Sequence, residues 1–156
     1  MIAIEIPGRD TLQVENVVFD FNGTLAVDGI IAPETKNKLA KLQELVNIYI
    51  LTADTHGTAR RNCAFLKARI ETFPTARAGE EKAGIVETLG YEHTVCIGNG
   101  YNDLLMAEKC ALFICVLGEE GCSGKLLTLA DVVVTSIDDA LNLLLKPKRL
   151  VATLRN

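Results

Sequence analysis

The amino-acid sequence predicts an α/β fold, a parallel β-sheet with helices on both faces. Short apolar runs such as "NIYIL", "TVCIG", "LFICVL" and "DVVVT" recur along the chain. They are continuous rather than alternating, as strands buried on both sides are. Between them lie stretches whose apolar residues return at helical spacing, so strands and helices alternate as a parallel sheet requires. At 156 residues the chain suits one domain, residues 1–156, able to bury a core without disulfides or metals.

The elements follow in order. "IAIEI", "PGRD" and "TLQVENVVFDF" read as a strand, a tight turn and a returning strand or two. "AVDGII" sets Asp28-Gly29 between apolar residues, the mark of a small hairpin or flap. Pro33 suits a first helical turn, and Leu39, Leu42, Leu45 and Val46 fall on one face of "PETKNKLAKLQELV". The strand "NIYILTAD" comes next, then a helix over Gly57–Ala68 and the short strand "RIETF". "GEEKAGIVETLG" is a helix with acids in its first turn and Gly90 past its end. "TVCIG" and "LFICVLG" are strands, each followed by a helix, "YNDLLMAEKC" and "GCSGKLLTLA". "DVVVT" is the last strand and "SIDDALNLLLK" a helix. The tail "KPKRLVATLRN" carries four basic residues and reads as a solvated terminal helix rather than a binding patch.

Apolar residues make up 49% and charged residues 23% of the chain, the balance of a soluble globular protein. A net charge of −4 weighs against nucleic acid as a partner. No apolar run approaches the roughly 18 residues of a membrane span, so no membrane partner is expected. "MIAIEIPGRD" lacks the basic and long apolar regions of a signal peptide. Cys63, Cys96, Cys110, Cys115 and Cys122 form no C-x-x-C pair and read as buried reduced thiols of a cytoplasmic protein. Two histidines, His56 and His93, are too few for a His-rich metal site.

Reactive groups in open α/β sheets gather where strands end at their carboxyl edge. The residues after the buried runs are Asp20, then Thr52, then Asn99 and Asp103, with Lys82 early in an intervening helix. Two acids, a hydroxyl, a lysine and glycine-rich turns compose a site for a dianionic phosphoryl group and a hard cation. Asp20 and Asp103 supply charge for a cation that takes oxygen ligands. Lys82, the Thr52 hydroxyl and backbone N–H groups around Asn22–Thr24 and Ala53–Asp54 supply donors for phosphoryl oxygens. Singly, each residue reads as a cap, a turn residue or a solvated lysine; together their order carries the inference.

In that order, "DFNGTL", "ILTAD", Lys82 and "IGNGYND" resemble the four motifs of the haloacid dehalogenase (HAD) superfamily. The first of those motifs is Asp-x-Asp-Gly-Thr and the fourth Gly-Asp-Gly-x-Asn-Asp. "EEKAGIVETLG…TVCIGNGYNDLLM" is similar to the phosphorylation domain of P-type ATPases, nearest the soluble P-type ATPase-like branch. The resemblance spans Val17–Asp138 and implies a HAD-like Rossmannoid core. It implies that Asp20 is the nucleophile forming an aspartyl-phosphate. It also implies a Mg²⁺ ion held by Asp20, by Asn22 through its carbonyl, and by Asn99 and Asp103. Phosphate would be bound by Asn22, Gly23, Thr24, Thr52, Ala53, Lys82 and Asn102. Thr52 and Lys82 count as catalytic, Lys82 keeping the nearby carboxylates ionised.

Two positions depart from the superfamily's pattern. Asn22 stands where most HAD phosphatases have the aspartate that protonates the leaving group and then activates water, work that contributes about 10²–10⁴-fold. Phosphoryl transfer to Asp20 depends more on positioning and charge neutralisation, so hydrolysis of the aspartyl-phosphate is the step expected to slow. P-type ATPases also lack an acid there. Asn99 replaces the first fourth-motif aspartate and removes one negative charge from the metal site. Each Asn-Gly pair also suits a sharp bend.

Only 31 residues separate Asp20 from Thr52, and 29 separate Thr52 from Lys82. The helices and strands already described fill both gaps, so the fold is expected to be capless, with only the Asp28-Gly29 flap near the site. An open pocket admits small or macromolecular phosphorylated substrates and leaves room for an oligomer or protein partner. Three rivals fail. "GEEGCSGKLL" has the wrong spacing and no Ser or Thr for a P-loop, "GNGYND" lacks the third glycine of a dinucleotide fingerprint, and "AIEIPG" lacks a receiver domain's acidic pair. The favoured reading is a slow HAD-type phosphatase; the alternative is a non-catalytic phosphate- or Mg²⁺-binding or regulatory protein.

Overall fold

The computed structural model describes residues 1–54 and 57–156, so His56 lies outside the described residues. β1 (Ile2–Ile4) and β2 (Leu12–Val14) form an antiparallel hairpin. β3 (Asn16–Phe19) then opens the main sheet, whose order is β5-β4-β3-β6-β7-β8 and whose neighbours are all parallel. These strands are β4 (Asn47–Thr52), β5 (Arg69–Thr72), β6 (Thr94–Gly98), β7 (Leu112–Val116) and β8 (Val132–Val134). The chain starts in the middle at β3 and steps outward through β4 to β5. It then returns to the other side of β3 and steps through β6 and β7 to β8.

Reversing the direction of stepping moves right-handed crossover helices to the opposite face, and the core divides accordingly. On one face, Val17, Phe19, Ile50, Ile97 and Ile114 meet Leu39 of α1 (Pro33–Leu42), Ala59 of α2 (Thr58–Asn62) and Leu141 of α6 (Ile137–Leu145). On the other, Val18, Leu51, Cys96 and Phe113 meet Val86 of α3 (Ala78–Leu89), Met106 of α4 (Leu104–Ala107) and Leu126 of α5 (Gly124–Leu129). Alternate residues of each strand serve alternate faces. Both faces are apolar, which is why the runs in the sequence are continuous.

Several helices are shorter than their sequence patterns predict. The first ends at Leu42, leaving Leu45 44% exposed while Val46 is buried; a turn there delivers the chain to β4. The helix expected over Gly57–Ala68 stops at Asn62. The Asn62 side-chain amide donates to the Thr58 carbonyl (2.9 Å) and to Gly29 O (3.1 Å), competing with the backbone for helix acceptors. "YNDLLMAEKC" divides into a 3₁₀ turn, Tyr101–Asp103, and the four-residue α4. β7 must begin at Leu112 to pair with β6, so little chain remains for a helix. α7 (Pro147–Leu154) buries Leu150 and Leu154 and leaves Lys146, Lys148, Arg149 and Arg155 exposed; it is an amphipathic helix, only its outer side solvated.

The Asp28-Gly29 flap is present. Both residues have positive φ (50° and 77°) and Val27 is bridged to Ile30, as a primed two-residue turn requires. All five cysteines are free, four buried and Cys122 half-buried. Burial pushes the Cys63 thiol up to about 11. No helix among the described residues is long and apolar enough to cross a membrane.

Candidate functional site

The divergence of connections on either side of β3 leaves a crevice at the carboxyl ends of β3 and β6, the usual ligand position in such sheets. Asp20 follows β3, and its N–H donates to Ile97 O of β6 (3.0 Å), so the strand pairing runs up to the carboxylate itself. Asn99 follows β6 and Thr52 ends β4. A pocket of about 360 Å³ opens here, lined by Asp20, Asn22, Thr52, Ala53, Asn99, Gly100, Tyr101 and Asn102.

Beneath it lies a buried charge cluster. Lys82, wholly buried on α3, donates to Asp20 Oδ1 (2.7 Å), Asp103 Oδ1 (2.8 Å) and Asn102 Oδ1 (3.3 Å). An ammonium has three N–H donors, so all are taken. Burial alone would lower the Lys82 pKa; the Asp20 and Asp103 carboxylates outweigh it and hold the value above the ordinary one. Burial, then the Asp103 charge, raise Asp20 from 3.8 to about 7 against the opposing pull of Lys82. Asp20 is thus a carboxylate whose ionised form is poorly stabilised until more positive charge arrives.

Asp103 does not face the pocket. It is fully buried, and its Oδ2 accepts the N–H groups of Asn99 (3.1 Å) and Gly100 (3.0 Å). A Cβ at Gly98 would stand 2.4 Å from that oxygen, so glycine is needed for this approach. Thr24 is also buried. Its hydroxyl lies 3.4 Å from Asp20 Oδ2 and 3.1 Å from Asn99 Oδ1, bringing those two oxygens together. The Asn99 amide is oriented by its Nδ2, which donates to Gly121 O (3.1 Å), while Ser123 N–H donates to Asn99 O (2.8 Å). Thr52 Oγ1 accepts the Asp54 N–H (3.0 Å), and Asp54 in turn accepts the Ala59 N–H (2.9 Å).

The residues singled out from sequence therefore converge at one sheet edge, in two layers. Asp20, Asn22, Thr52, Ala53, Asn99 and Asn102 line the pocket; Lys82, Asp103 and Thr24 brace it from below, and Gly23 abuts Asn99. The sequence reading missed Tyr101, 66% exposed on the pocket wall, and the 118–123 segment that docks on Asn99. Its only signal was an aromatic residue inside "GNGYND".

Among the described residues no group of three or more His, Cys, Asp or Glu side chains is placed to hold a metal. The oxygens that Thr24 brings together offer one carboxylate and one amide. Such a set suits a hard cation that keeps waters and takes further ligands from a phosphate.

No model of a known protein family matches the chain. Over 79 residues, 48% of this chain, it is 44% identical to "Uncharacterized protein MJ0073" of Methanocaldococcus jannaschii, covering 85% of that protein. The chain belongs to that protein's family. It is also 49% identical over 39 residues to "Uncharacterized protein MJ0072" of the same organism, covering 89% of it. Among solved structures it resembles the cobalt-bound deoxy-D-mannose-octulosonate 8-phosphate phosphatase of Haemophilus influenzae, with a TM-score of 0.74 at 14% identity, over 92% of this chain and 94% of that one. The corresponding phosphatase of Moraxella catarrhalis, in complex with magnesium, phosphate and the sugar acid, gives 0.68 at 18% identity over 92% and 95%. These neighbours are HAD superfamily hydrolases, and this chain shares their α/β fold.

Proposed function

We propose that the chain is a magnesium-dependent phosphohydrolase of the HAD type, acting on phosphomonoesters through an aspartyl-phosphate at Asp20. The observation that carries this reading is the Asp20 carboxylate at the pocket, held at 2.7 Å by the buried Lys82. In the first half-reaction an Asp20 oxygen bonds to phosphorus as the bond to the ester oxygen breaks, the departing oxygen taking its proton from solvent. Water then attacks the same phosphorus, phosphate leaves and the carboxylate is restored. Thr52 and the backbone N–H groups of Asn22 and Ala53 would bind phosphoryl oxygens, and Asn102 would position the loop. Contrary to the sequence expectation, the N–H groups of Gly23 and Thr24 are given to Ala26 O (2.8 Å) and Phe21 O (3.3 Å), and that of Asp54 to Thr52 Oγ1. Lys82 acts from below, its charge opposing the burial that raises Asp20 while its ammonium ties Asp20 to Asp103. Asp20, the Asn22 carbonyl and Asn99 would hold the ion, with Asp103 contributing through the loop it braces. Bound there, magnesium would neutralise phosphoryl charge.

Asn22 lines the pocket where a proton-transferring acid would serve, so the second half-reaction is the slow one. That feature and "GNGYND" support a place in the P-type ATPase-like branch. Free thiols support a cytoplasmic setting, and the connected sheet supports residues 1–156 as one catalytic-core domain. A second reading, a binding or regulatory protein, is favoured by Asn22 and Asn99, which line the pocket where two acids of the motifs would stand. Turnover of p-nitrophenyl phosphate with magnesium decides between them. Slow hydrolysis lost in Asp20→Asn, and raised about 10²-fold or more in Asn22→Asp, is expected. Equal rates in wild type and Asp20→Asn would overturn the phosphatase reading.

A further inference from the structure

At about 360 Å³ the pocket is larger than a phosphoryl group needs, and Tyr101 is among the residues that line it. Tyr101 is 66% exposed although it lines the pocket. The Lys125 ammonium stands 5.7 Å from the ring centroid, within cation–π range. Lys125 is exposed, and no carboxylate among the described residues lies within ion-pair distance of it.

Its position is nonetheless fixed to the site. The segment leading into α5 is tied to Asn99 by two hydrogen bonds, Ser123 N–H to Asn99 O and Asn99 Nδ2 to Gly121 O. Leu126, the next residue, is fully buried. The backbone carrying Lys125 therefore moves with the pocket wall. "GCSGKLL" is not a P-loop, and Lys125 is the residue in it still without a role.

We propose that Tyr101 and Lys125 form the leaving-group subsite of this pocket, selecting phosphomonoesters whose leaving group carries a second anionic group, a carboxylate or another phosphate. The proposal rests on the reading of Asp20 as the phosphoryl end. A leaving group attached to that phosphoryl points out of the crevice, where the Tyr101 ring offers a flat surface for its skeleton. The Lys125 ammonium then offers a charge-assisted hydrogen bond to its anionic end, a stronger contact than a neutral pair makes. Because no acid among the described residues pairs with the ammonium, it need not break an ion pair to bind substrate.

The test uses a matched pair, 4-carboxyphenyl phosphate and 4-carbamoylphenyl phosphate, which differ in charge while keeping similar shape. The readout is the ratio of their kcat/KM values, which does not depend on the absolute rate. Wild type is expected to favour the carboxylate about tenfold, as a charge-assisted contact allows. Lys125→Met should bring the ratio near one, Lys125→Arg should keep it, and raised ionic strength should shrink it in wild type. The same ratio is measured as equilibrium binding of both esters, with magnesium, to Asp20→Asn and to Asp20→Asn/Lys125→Met. A Lys125-dependent binding preference without any wild-type turnover would support the subsite while sinking the phosphatase reading. No preference in wild type, or a preference that survives Lys125→Met, would overturn the subsite.

Discussion

At the scale of single residues, the buried trio Asp20, Lys82 and Asp103 determines what the site can do. Removing one member of a buried ion cluster leaves an uncompensated charge, a loss of about 3–5 kcal/mol. Lys82→Ala removes the cation between two buried carboxylates, and denaturant unfolding should register a destabilisation of that order. The pH dependence follows from Asp20, whose ionisation moves from 3.8 to about 7 through burial and the Asp103 charge. Between those values the folded protein holds a proton that the unfolded chain has lost. Stability of the magnesium-free protein should therefore fall as pH rises through that window and level off above it. Thermal melts in chelator should show that slope in wild type and its loss in Asp20→Asn.

At the scale of elements, the site depends on loops made rigid by close approach. Gly23 has a φ of +76°, and a Cβ there would stand 2.3 Å from Asn99 Nδ2. Gly23→Ala should therefore lose at least about 1 kcal/mol from backbone conformation alone, and should also displace Asn99 from Gly121 O. A melt together with magnesium titration of phosphate binding should record both effects, weaker binding accompanying the lower melting temperature. The strands were legible in the sequence because each is buried on both faces and reads as an unbroken apolar run. Helix lengths were less so. α2 ends where the Asn62 side chain captures Thr58 O, and α4 is cut short by the start of β7, a constraint set by pairing with β6. Neither limit is written in helical spacing.

At the scale of the whole molecule, the order of stepping through the sheet brings together residues far apart in the chain. Asp20, Thr52, Asn99 and Asn102 reach one pocket because each follows a strand at the same edge, a placement that strand order and polar punctuation made legible. That the site has two layers was not legible. Lys82 and Asp103 lie under the pocket rather than in it because α3 and the Tyr101–Asp103 turn pack behind β3 and β6. The docking of Gly121 and Ser123 onto Asn99 was likewise hidden, since nothing local in "GEEGCSG" marks a contact with a loop some twenty residues earlier. The antiparallel β1–β2 hairpin stands outside the main sheet.

The most direct measurement is mass spectrometry of the peptide containing Val17–Leu25 after brief reaction with a phosphate donor and magnesium and an acid quench. One phosphoryl group on Asp20, removed by hydroxylamine and absent from Asp20→Asn, is the predicted result. Turnover that continues with no phosphoryl group ever trapped on Asp20, and undiminished in Asp20→Asn, would contradict it.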